Sequence, residues 1–185
     1  MSIKKILCVG YRTWALNIYK NILITKNCEF KIIDSFDNYN EEIIYDYNPD
    51  FILFYGWSWI INDEIINKYK CIMLHPSPLP KYRGGSPIQN QIINGELNSK
   101  VTLFLMNDKI DEGDIILQDN ITLDGHLNDI FNQITKVGTK LTIDFLNDKY
   151  FLKKQNNNLA TYCKRRLPSH SEITLEELQT KDSKY

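Results

Sequence analysis

Short apolar runs alternate with amphipathic stretches along most of the chain, and this alternation predicts its fold. Apolar runs bounded by turn residues predict strands over residues 5–9, 30–33, 51–55, 71–74, 101–106 and 115–122. Apolar positions at helical spacing predict helices over residues 13–24, 40–47, 63–69, 87–94 and 128–146. Strands that alternate with helices favour an α/β, Rossmann-like fold, with a mostly parallel sheet and helices on both faces.

The pattern changes near the end of the chain. Residues 1–165 are predicted to form one core domain, whereas residues 166–185 are polar and charged. Thr174 and Glu177 have the spacing of a capping box, which predicts a short helix. Because so short a helix is marginal alone, either it docks on the core or it begins a further C-terminal portion.

Composition narrows the classes of function. The chain of 185 residues has 22 basic and 23 acidic residues, so its net charge of −1 gives no general attraction for polyanions, and no nucleic-acid partner is expected. No apolar run approaches the roughly 18 residues that cross a membrane, so we expect a cytoplasmic protein without a membrane partner. The separated cysteines, Cys8, Cys28, Cys71 and Cys163, predict reduced, packing thiols and no metal site.

The stretch MLHPSPLPKYRGGSP, residues 73–87, is the clearest sign of chemistry. His75 follows a predicted strand, and ligands of open α/β sheets bind beyond the carboxyl ends of strands. Asp111 lies in a turn between the last two predicted strands. If both loops lie at the strand carboxyl ends, the carboxylate can hold the imidazole's tautomer and stabilise its protonated form, or it can be a solvated loop aspartate.

HPSPLPKYRGGSP, followed by VTLFLMNDKIDEGDIILQ, resembles the formyltransferase family that uses N10-formyltetrahydrofolate. The similarity runs from the first strand to the helix near Leu146. In that family a histidine at the start of the loop HxSLLPxYRG pairs with an aspartate in a DxGxI turn. The resemblance therefore implies that His75 and Asp111 are catalytic, that folate binds in a cleft beside them and that no metal is needed.

The resemblance also implies roles for neighbouring residues. The positions that match the family's folate pocket are Tyr55, Gly56, Trp57 and Trp59, together with Asn107, Asp108, Lys109 and Ile110, whose backbone would bind the pterin. The second substrate would approach Ser77, Lys81, Tyr82 and Arg83, where Arg83 can bind a phosphate bidentately. We expect Lys164, Arg165 and Arg166 to be solvated, although RRLPSHSEI resembles the segment after the core of sugar formyltransferases.

Met73 departs from the family pattern, which has an asparagine two positions before the histidine. An asparagine can donate a hydrogen bond to the formyl oxygen as it becomes an oxyanion, and methionine cannot. Three alternatives stay open. Another donor serves, with Ser77, Gln89, Asn90 or a loop amide as candidates; or the enzyme is slow; or the protein binds folate without catalysis. The first is favoured because the histidine, aspartate and loop residues remain.

The ends of the chain favour one substrate among the family's members. The turn after the first strand, Gly10 to Trp14, lacks the phosphate-binding loop of the glycinamide ribonucleotide enzyme. The basic C-terminal domain of the methionyl-tRNA enzyme is absent from this sequence, although both enzymes stay as alternatives. We therefore expect a sugar N-formyltransferase that acts on a nucleotide-linked amino sugar. The oligomeric state stays open, with a homodimer as one alternative.

Overall fold

The computed structural model of this protein describes residues 3–172. Its strands are β1 Lys4–Val9, β2 Cys28–Ile33, β3 Phe51–Tyr55, β4 Cys71–His75, β5 Arg83–Gly84, β6 Asn98–Leu105, β7 Ile115–Thr122 and β8 Tyr162–Cys163. Its α-helices are α1 Thr13–Ile22, α2 Glu41–Tyr47, α3 Asp63–Lys68, α4 Pro87–Ile93 and α5 Leu127–Leu146. The predicted capping box at Thr174 and Glu177 lies outside the described residues.

Within residues 3–172, six strands form one sheet in the order β2-β1-β3-β4-β6-β7. The first four are parallel, whereas β6 runs antiparallel to β4 and β7 antiparallel to β6. The predicted mostly parallel, Rossmann-like fold is therefore confirmed. The pairing of β5 with β8 was not predicted, because two-residue strands carry no recognisable hydrophobic pattern.

Each face of the sheet packs against its own pair of helices, as the alternation of strands and helices predicts. On one face, α1 and α5 contribute a buried apolar core that includes Ala15, Ile18, Ile22, Ile130, Ile134 and Leu141. Gly138 lets these helices approach closely, because a Cβ there would lie 2.6 Å from Cδ1 of Ile18. On the other face, Ile44 of α2 and Ile65 of α3 pack over β1 and β3.

The hydroxyl of Tyr19 joins α1 to the two central strands. It accepts a hydrogen bond from the backbone N–H of Tyr55 at 2.9 Å and lies within donating distance of the carbonyls of Leu53 and Val9, at 2.7 and 2.9 Å. We expect Tyr19→Phe to lower the free energy of unfolding by about 1–3 kcal/mol, because the buried N–H of Tyr55 loses its partner. Urea unfolding measures this.

The matched control is Tyr45→Phe, since the Tyr45 side chain is 38% exposed. It should change the free energy of unfolding by no more than about 0.5 kcal/mol. If both substitutions changed the free energy of unfolding equally, the buried Tyr19 hydroxyl would make no particular contribution to stability.

The cysteines are free thiols, and Cys8 and Cys71 are buried in the core. Burial raises the pKa of the Cys71 thiol to about 12, so it stays protonated and unreactive near neutral pH. Across residues 3–172, no helix combines the length and apolar character needed to cross a membrane. Nor does this part of the chain bring together three His, Cys, Asp or Glu side chains that could bind a metal ion.

Candidate active site

A cleft of about 1270 Å³ opens at the carboxyl edge of the parallel strands. It is larger than the roughly 300–1,000 Å³ typical of small-molecule pockets, so it has room for two substrates. Segments from both faces of the sheet line it: residues 12–14, 56–61, 73–76, 84–89 and 106–111, the start of α5, and Arg165 with Arg166. Both predicted catalytic residues, His75 and Asp111, are among its lining residues.

His75 is the last residue of β4, and its imidazole is fixed in the wall of the cleft with 7% of the side chain exposed. Its Nε2 lies 2.8 Å from the carbonyl oxygen of Tyr82. Because a carbonyl only accepts, Nε2 must carry the proton, and in the neutral ring Nδ1 is the basic nitrogen. The loop therefore selects the tautomer that leaves Nδ1 available for chemistry.

The loop after His75 is held by side chains that reach its carbonyl groups. Ser77 donates to the carbonyl of Lys81 at 2.8 Å, and Thr102 of β6 donates to the carbonyl of Ser77 at 2.7 Å. Gln118 of β7 donates to the carbonyl of Leu79 at 3.0 Å. These bonds tie the loop to the sheet and so hold Tyr82 in place beneath the imidazole.

Asp111 reaches His75 by a route that differs from the predicted one. The carboxyl end of β6 lies beside the amino end of β4, since Leu105 pairs with Ile72. The turn after β6 therefore starts at the opposite edge from His75 and folds back to meet it. The prediction of two loops at one edge was wrong about the path because β6 is antiparallel to β4, although the two side chains do meet.

One carboxylate oxygen of Asp111 lies 3.6 Å from Nδ1 of His75, and only 10% of the Asp111 side chain is exposed. The same oxygen accepts a hydrogen bond from the backbone N–H of Gly84 at 2.7 Å. The Asp111 backbone has φ of 52°, a left-handed conformation that costs a residue with a side chain about 1–3 kcal/mol. The fold thus holds a strained residue with its carboxylate beside the basic nitrogen, where it can stabilise an imidazolium.

The segment after β3 supplies most of the predicted folate-binding wall. Gly56, Trp57 and Trp59 line the cleft. Gly56 has φ of 61°, and a Cβ there would lie 2.9 Å from the side chain of Arg12, so the close approach requires glycine. Tyr55 is different: it is fully buried, and its hydroxyl bonds Thr142 on the α5 side, so we assign it to the core.

The inner part of the cleft has an apolar floor and one unused polar group. Met73, Phe104 and Met106 lie side by side where β4 meets β6. Trp57 is 8% exposed, and its buried indole N–H has no hydrogen-bond partner among residues 3–172. A flat heterocycle such as a pterin ring would fit against the apolar floor of Met73, Phe104 and Met106.

The predicted pterin loop, residues 107–110, also lines the cleft. The side chain of Asn107 accepts a hydrogen bond from the backbone N–H of Lys109 at 3.0 Å, which holds the turn. The Lys109 ammonium lies 3.4 Å from Glu112, and Ile110 is 69% exposed. The turn thus lines the cleft where the sequence interpretation places the pterin loop.

None of the four predicted substrate-binding residues, Ser77, Lys81, Tyr82 and Arg83, lines the large cleft. Ser77 and Arg83 are fully buried, and Tyr82 is 9% exposed with its hydroxyl donated to Glu96. The Arg83 guanidinium is occupied by Gln155, Asn157 and Tyr162. These residues stabilise the loop, so the structure places them differently from the sequence interpretation.

Two residues expected to be solvated also line the cleft, where Arg165 is exposed and Arg166 is half-buried. Arg165 and Arg166 line its mouth on the segment after β8. The backbone N–H of Arg166 donates to the hydroxyl of Ser86 at 3.1 Å, and the backbone of Arg165 packs on Gly85. Within the described chain neither guanidinium forms an ion pair with a carboxylate. Their resemblance to a post-core segment was the only sequence feature that pointed to them.

Comparison with known proteins gives a consistent result. Residues 7–146 match the family model described as formyl transferase. Methionyl-tRNA formyltransferase of Ehrlichia chaffeensis is 35% identical over 145 residues, which cover 75% of this chain and 48% of that protein. The chain spans about half the length of the curated relatives it matches.

Solved structures agree with the sequence comparison. Methionyl-tRNA formyltransferase from Clostridium thermocellum matches with a TM-score of 0.85 and 31% identity, covering 95% of this chain and 80% of that one. A 4-N formyltransferase from Francisella tularensis matches with a TM-score of 0.69 and 23% identity, covering 96% and 86%. At that identity the second match supports the fold alone.

These comparisons correct two predictions. The expected nucleotide-linked amino sugar substrate and the expected absence of a nucleic-acid partner are both contradicted, because the more similar relatives are methionyl-tRNA formyltransferases. The error came from weighing net charge and chain length. A net charge of −1 says nothing about where charges lie, and Arg165 and Arg166 are concentrated at the cleft.

Proposed function

The chain belongs to the formyl transferase family, and from that membership we propose that it moves a formyl group from N10-formyltetrahydrofolate to the amino group of methionyl-tRNA. The observation that carries this proposal is the contact between Nδ1 of His75 and the carboxylate of Asp111 inside a cleft large enough for two substrates. The similarity to methionyl-tRNA formyltransferases supports the choice of acceptor.

The cleft supports folate as the formyl donor. Trp57 and Trp59 offer aromatic surface, Phe104 and Met106 offer an apolar floor, and the turn at Asn107 lines the same space. When bound, the folate supplies the formyl carbon, and its N10 is the leaving group. The chain's own residues must then position that carbon, exclude water around it and handle protons.

His75 is placed to carry out both transfers of the one proton that moves in the reaction. Nδ1 accepts a proton from the amine as the amine attacks the formyl carbon, because Nε2–H is already committed to the Tyr82 carbonyl. The imidazolium that forms lies 3.6 Å from the Asp111 carboxylate, which stabilises it. Nδ1 then returns the proton to N10 as the carbon–nitrogen bond breaks. The products are a formylated amine and tetrahydrofolate, so the proton count balances.

Arg165 and Arg166 support a polyanionic acceptor. They lie at the cleft mouth without carboxylate partners among the described residues, which is where the 3′-terminal phosphates of a charged tRNA would approach the formyl carbon. Arginine suits this role because its planar donors match phosphate oxygens.

We expect Arg165→Ala and Arg166→Ala each to raise the KM for methionyl-tRNA with little change in kcat. The logarithm of the binding constant falls as the logarithm of the salt concentration rises. Each lost phosphate contact should make this negative slope less steep by about 1. Filter binding across a salt series measures the slope. Lys26→Ala is the matched control, since Lys26 is exposed in the turn before β2, at the other edge of the sheet.

The direct test mixes purified protein, N10-formyltetrahydrofolate and methionyl-tRNA, and measures both tetrahydrofolate and formylmethionyl-tRNA. Free methionine and uncharged tRNA are the controls. We expect product with methionyl-tRNA, and none with free methionine or with uncharged tRNA. Quenching of tryptophan fluorescence measures folate binding separately. Folate binding without formyl transfer to methionyl-tRNA would overturn the proposed activity, and a product formed only with an amino sugar would overturn the acceptor.

A further inference from the structure

A short segment beyond the region that matches the family model lies against the turn that carries Asp111. Lys153 pairs with Ile115 through two backbone hydrogen bonds, of 2.8 and 2.9 Å. Ile115 opens β7, directly after that turn. This bridge brings Gln155, two residues further along, next to the backbone of Asp111.

The side chain of Gln155 binds two backbone carbonyl groups of the turn. Its Nε2 donates to the carbonyl of Asp111 at 2.9 Å and to the carbonyl of Gly113 at 2.7 Å. An amide nitrogen has two N–H groups, so both donors are used. The first bond holds the peptide group that directly follows Asp111, and the second holds the peptide group after Gly113. Together they fix the turn just after the left-handed backbone of Asp111, a conformation that persists only when its surroundings fix it.

Arg83 in turn fixes the orientation of Gln155. Its Nε and Nη2 donate to Oε1 of Gln155 at 3.1 and 2.8 Å. Because a guanidinium only donates, the atom that faces it must be the amide oxygen, and the amide nitrogen must face the turn. The same Nη2 also donates to Asn157 at 2.8 Å, and Nη1 donates to the Tyr162 hydroxyl at 2.9 Å, so Arg83 is itself held.

We propose that Gln155 is a positioning residue for formyl transfer, which keeps the backbone of Asp111 in the conformation that aims its carboxylate at Nδ1 of His75. The proposal rests on the proposed function, since Asp111 acts in catalysis only if the chain transfers formyl groups. No sequence pattern points to this role, because Gln155 stands in a polar stretch, KKQNNN, where a glutamine is ordinarily solvated.

Two substitutions separate the bonds that Gln155 makes. Gln155→Leu removes its donors and its acceptor. Gln155→Glu keeps an oxygen for Arg83 but places a second oxygen against two carbonyls. We expect each to lower kcat for formyl transfer by about 10- to 100-fold, the usual loss for a group that orients a catalytic residue, with both KM values unchanged. Asn158→Ala, at an exposed residue of the same segment, should match the wild type.

A second measurement does not depend on activity. The backbone N–H of Gly84 donates to the Asp111 carboxylate at 2.7 Å, so its amide proton resonance reports the position of that carboxylate. In both Gln155 variants this resonance should move upfield, towards its position in Asp111→Ala. In Asn158→Ala it should not move.

The outcomes decide between the two proposals. Wild-type kcat in both Gln155 variants, with an unmoved Gly84 resonance, overturns the positioning role. A fall in kcat that only tracks loss of folded protein in urea unfolding, with the Gly84 resonance unmoved in the folded fraction, also overturns it. If the wild type transfers no formyl group, the proposed function fails, whereas a moved Gly84 resonance still establishes that Gln155 positions Asp111.

Discussion

Replacing His75 by alanine is expected to lower kcat for formyl transfer by about 100- to 10,000-fold, the range that a positioned general acid–base contributes. The imidazole is held by the Tyr82 carbonyl so that Nδ1 alone can exchange a proton. Folate binding should survive, because the aromatic wall at Trp57 and Trp59 does not depend on the imidazole. Steady-state kinetics and fluorescence titration measure the two quantities.

Asp111→Asn should also lower kcat, because it removes the negative charge beside Nδ1 of His75 and leaves the imidazole itself in place. The asparagine keeps an oxygen for the Gly84 N–H but cannot stabilise an imidazolium at 3.6 Å. His126→Ala is the control for the histidine substitution, since His126 is exposed where α5 begins. If His75→Ala and Asp111→Asn both retain wild-type kcat, this pair does not carry the chemistry.

The local parts of the fold could be predicted from the sequence because each is determined by neighbouring residues. The strand that ends at His75 is an apolar run, and α5 shows helical periodicity over its whole length. The pairing of His75 with Asp111 was found through the resemblance to a family, since nothing local to either residue reveals the other. The route of the β6–β7 turn was missed because apolar periodicity does not distinguish parallel from antiparallel strands.

The errors about individual residues share one physical cause. Arg83 was assigned to a phosphate because a guanidinium can bind one bidentately, but here Gln155, Asn157 and Tyr162 supply acceptors that let it be buried. Those partners are far from it in sequence. Gln155 and the contribution of Arg165 to the cleft were missed for the same reason. Both residues lie on the segment that contains β8, which is far from the site in sequence and is joined to the loop after His75 by the pairing of β8 with β5.

The absence of an asparagine at Met73 raises the question of which group stabilises the oxyanion. Ser77 is buried, and its hydroxyl donates to the carbonyl of Lys81. The Asn90 amide is committed to the carbonyls of Gly85, Ser86 and Lys164. Of the three side-chain candidates, Gln89 remains: it is exposed and lines the cleft, and its amide has no hydrogen-bond partner within residues 3–172.

Gln89→Leu is therefore expected to lower kcat by about 100- to 1,000-fold, the cost of losing one oxyanion donor. The leucine keeps a similar volume on the first turn of α4 and removes the amide, with its donors and its acceptor. Single-turnover kinetics with bound folate isolate the chemical step. Gln91→Leu is not a usable control, because Gln91 is buried and bonds Ser99. Gln133→Leu tests for a general effect of losing a glutamine, since Gln133 is a half-buried residue of α5 that bonds the backbone of Thr122 and does not line the cleft.

Adding Met73→Asn to the Gln89→Leu protein gives the sharper result. Met73 lies two residues before His75 on β4, so its side chain and the imidazole point to the same face of the sheet. An amide donor at this position should restore most of the lost rate, whereas Met73→Leu should restore none. In the wild-type background Met73→Asn should change kcat by less than about 10-fold, since Gln89 already donates. A gain of about 100-fold or more there, with Gln89→Leu unchanged, would mean that the natural site has no oxyanion donor and that the chain is a slow enzyme or a folate-binding protein.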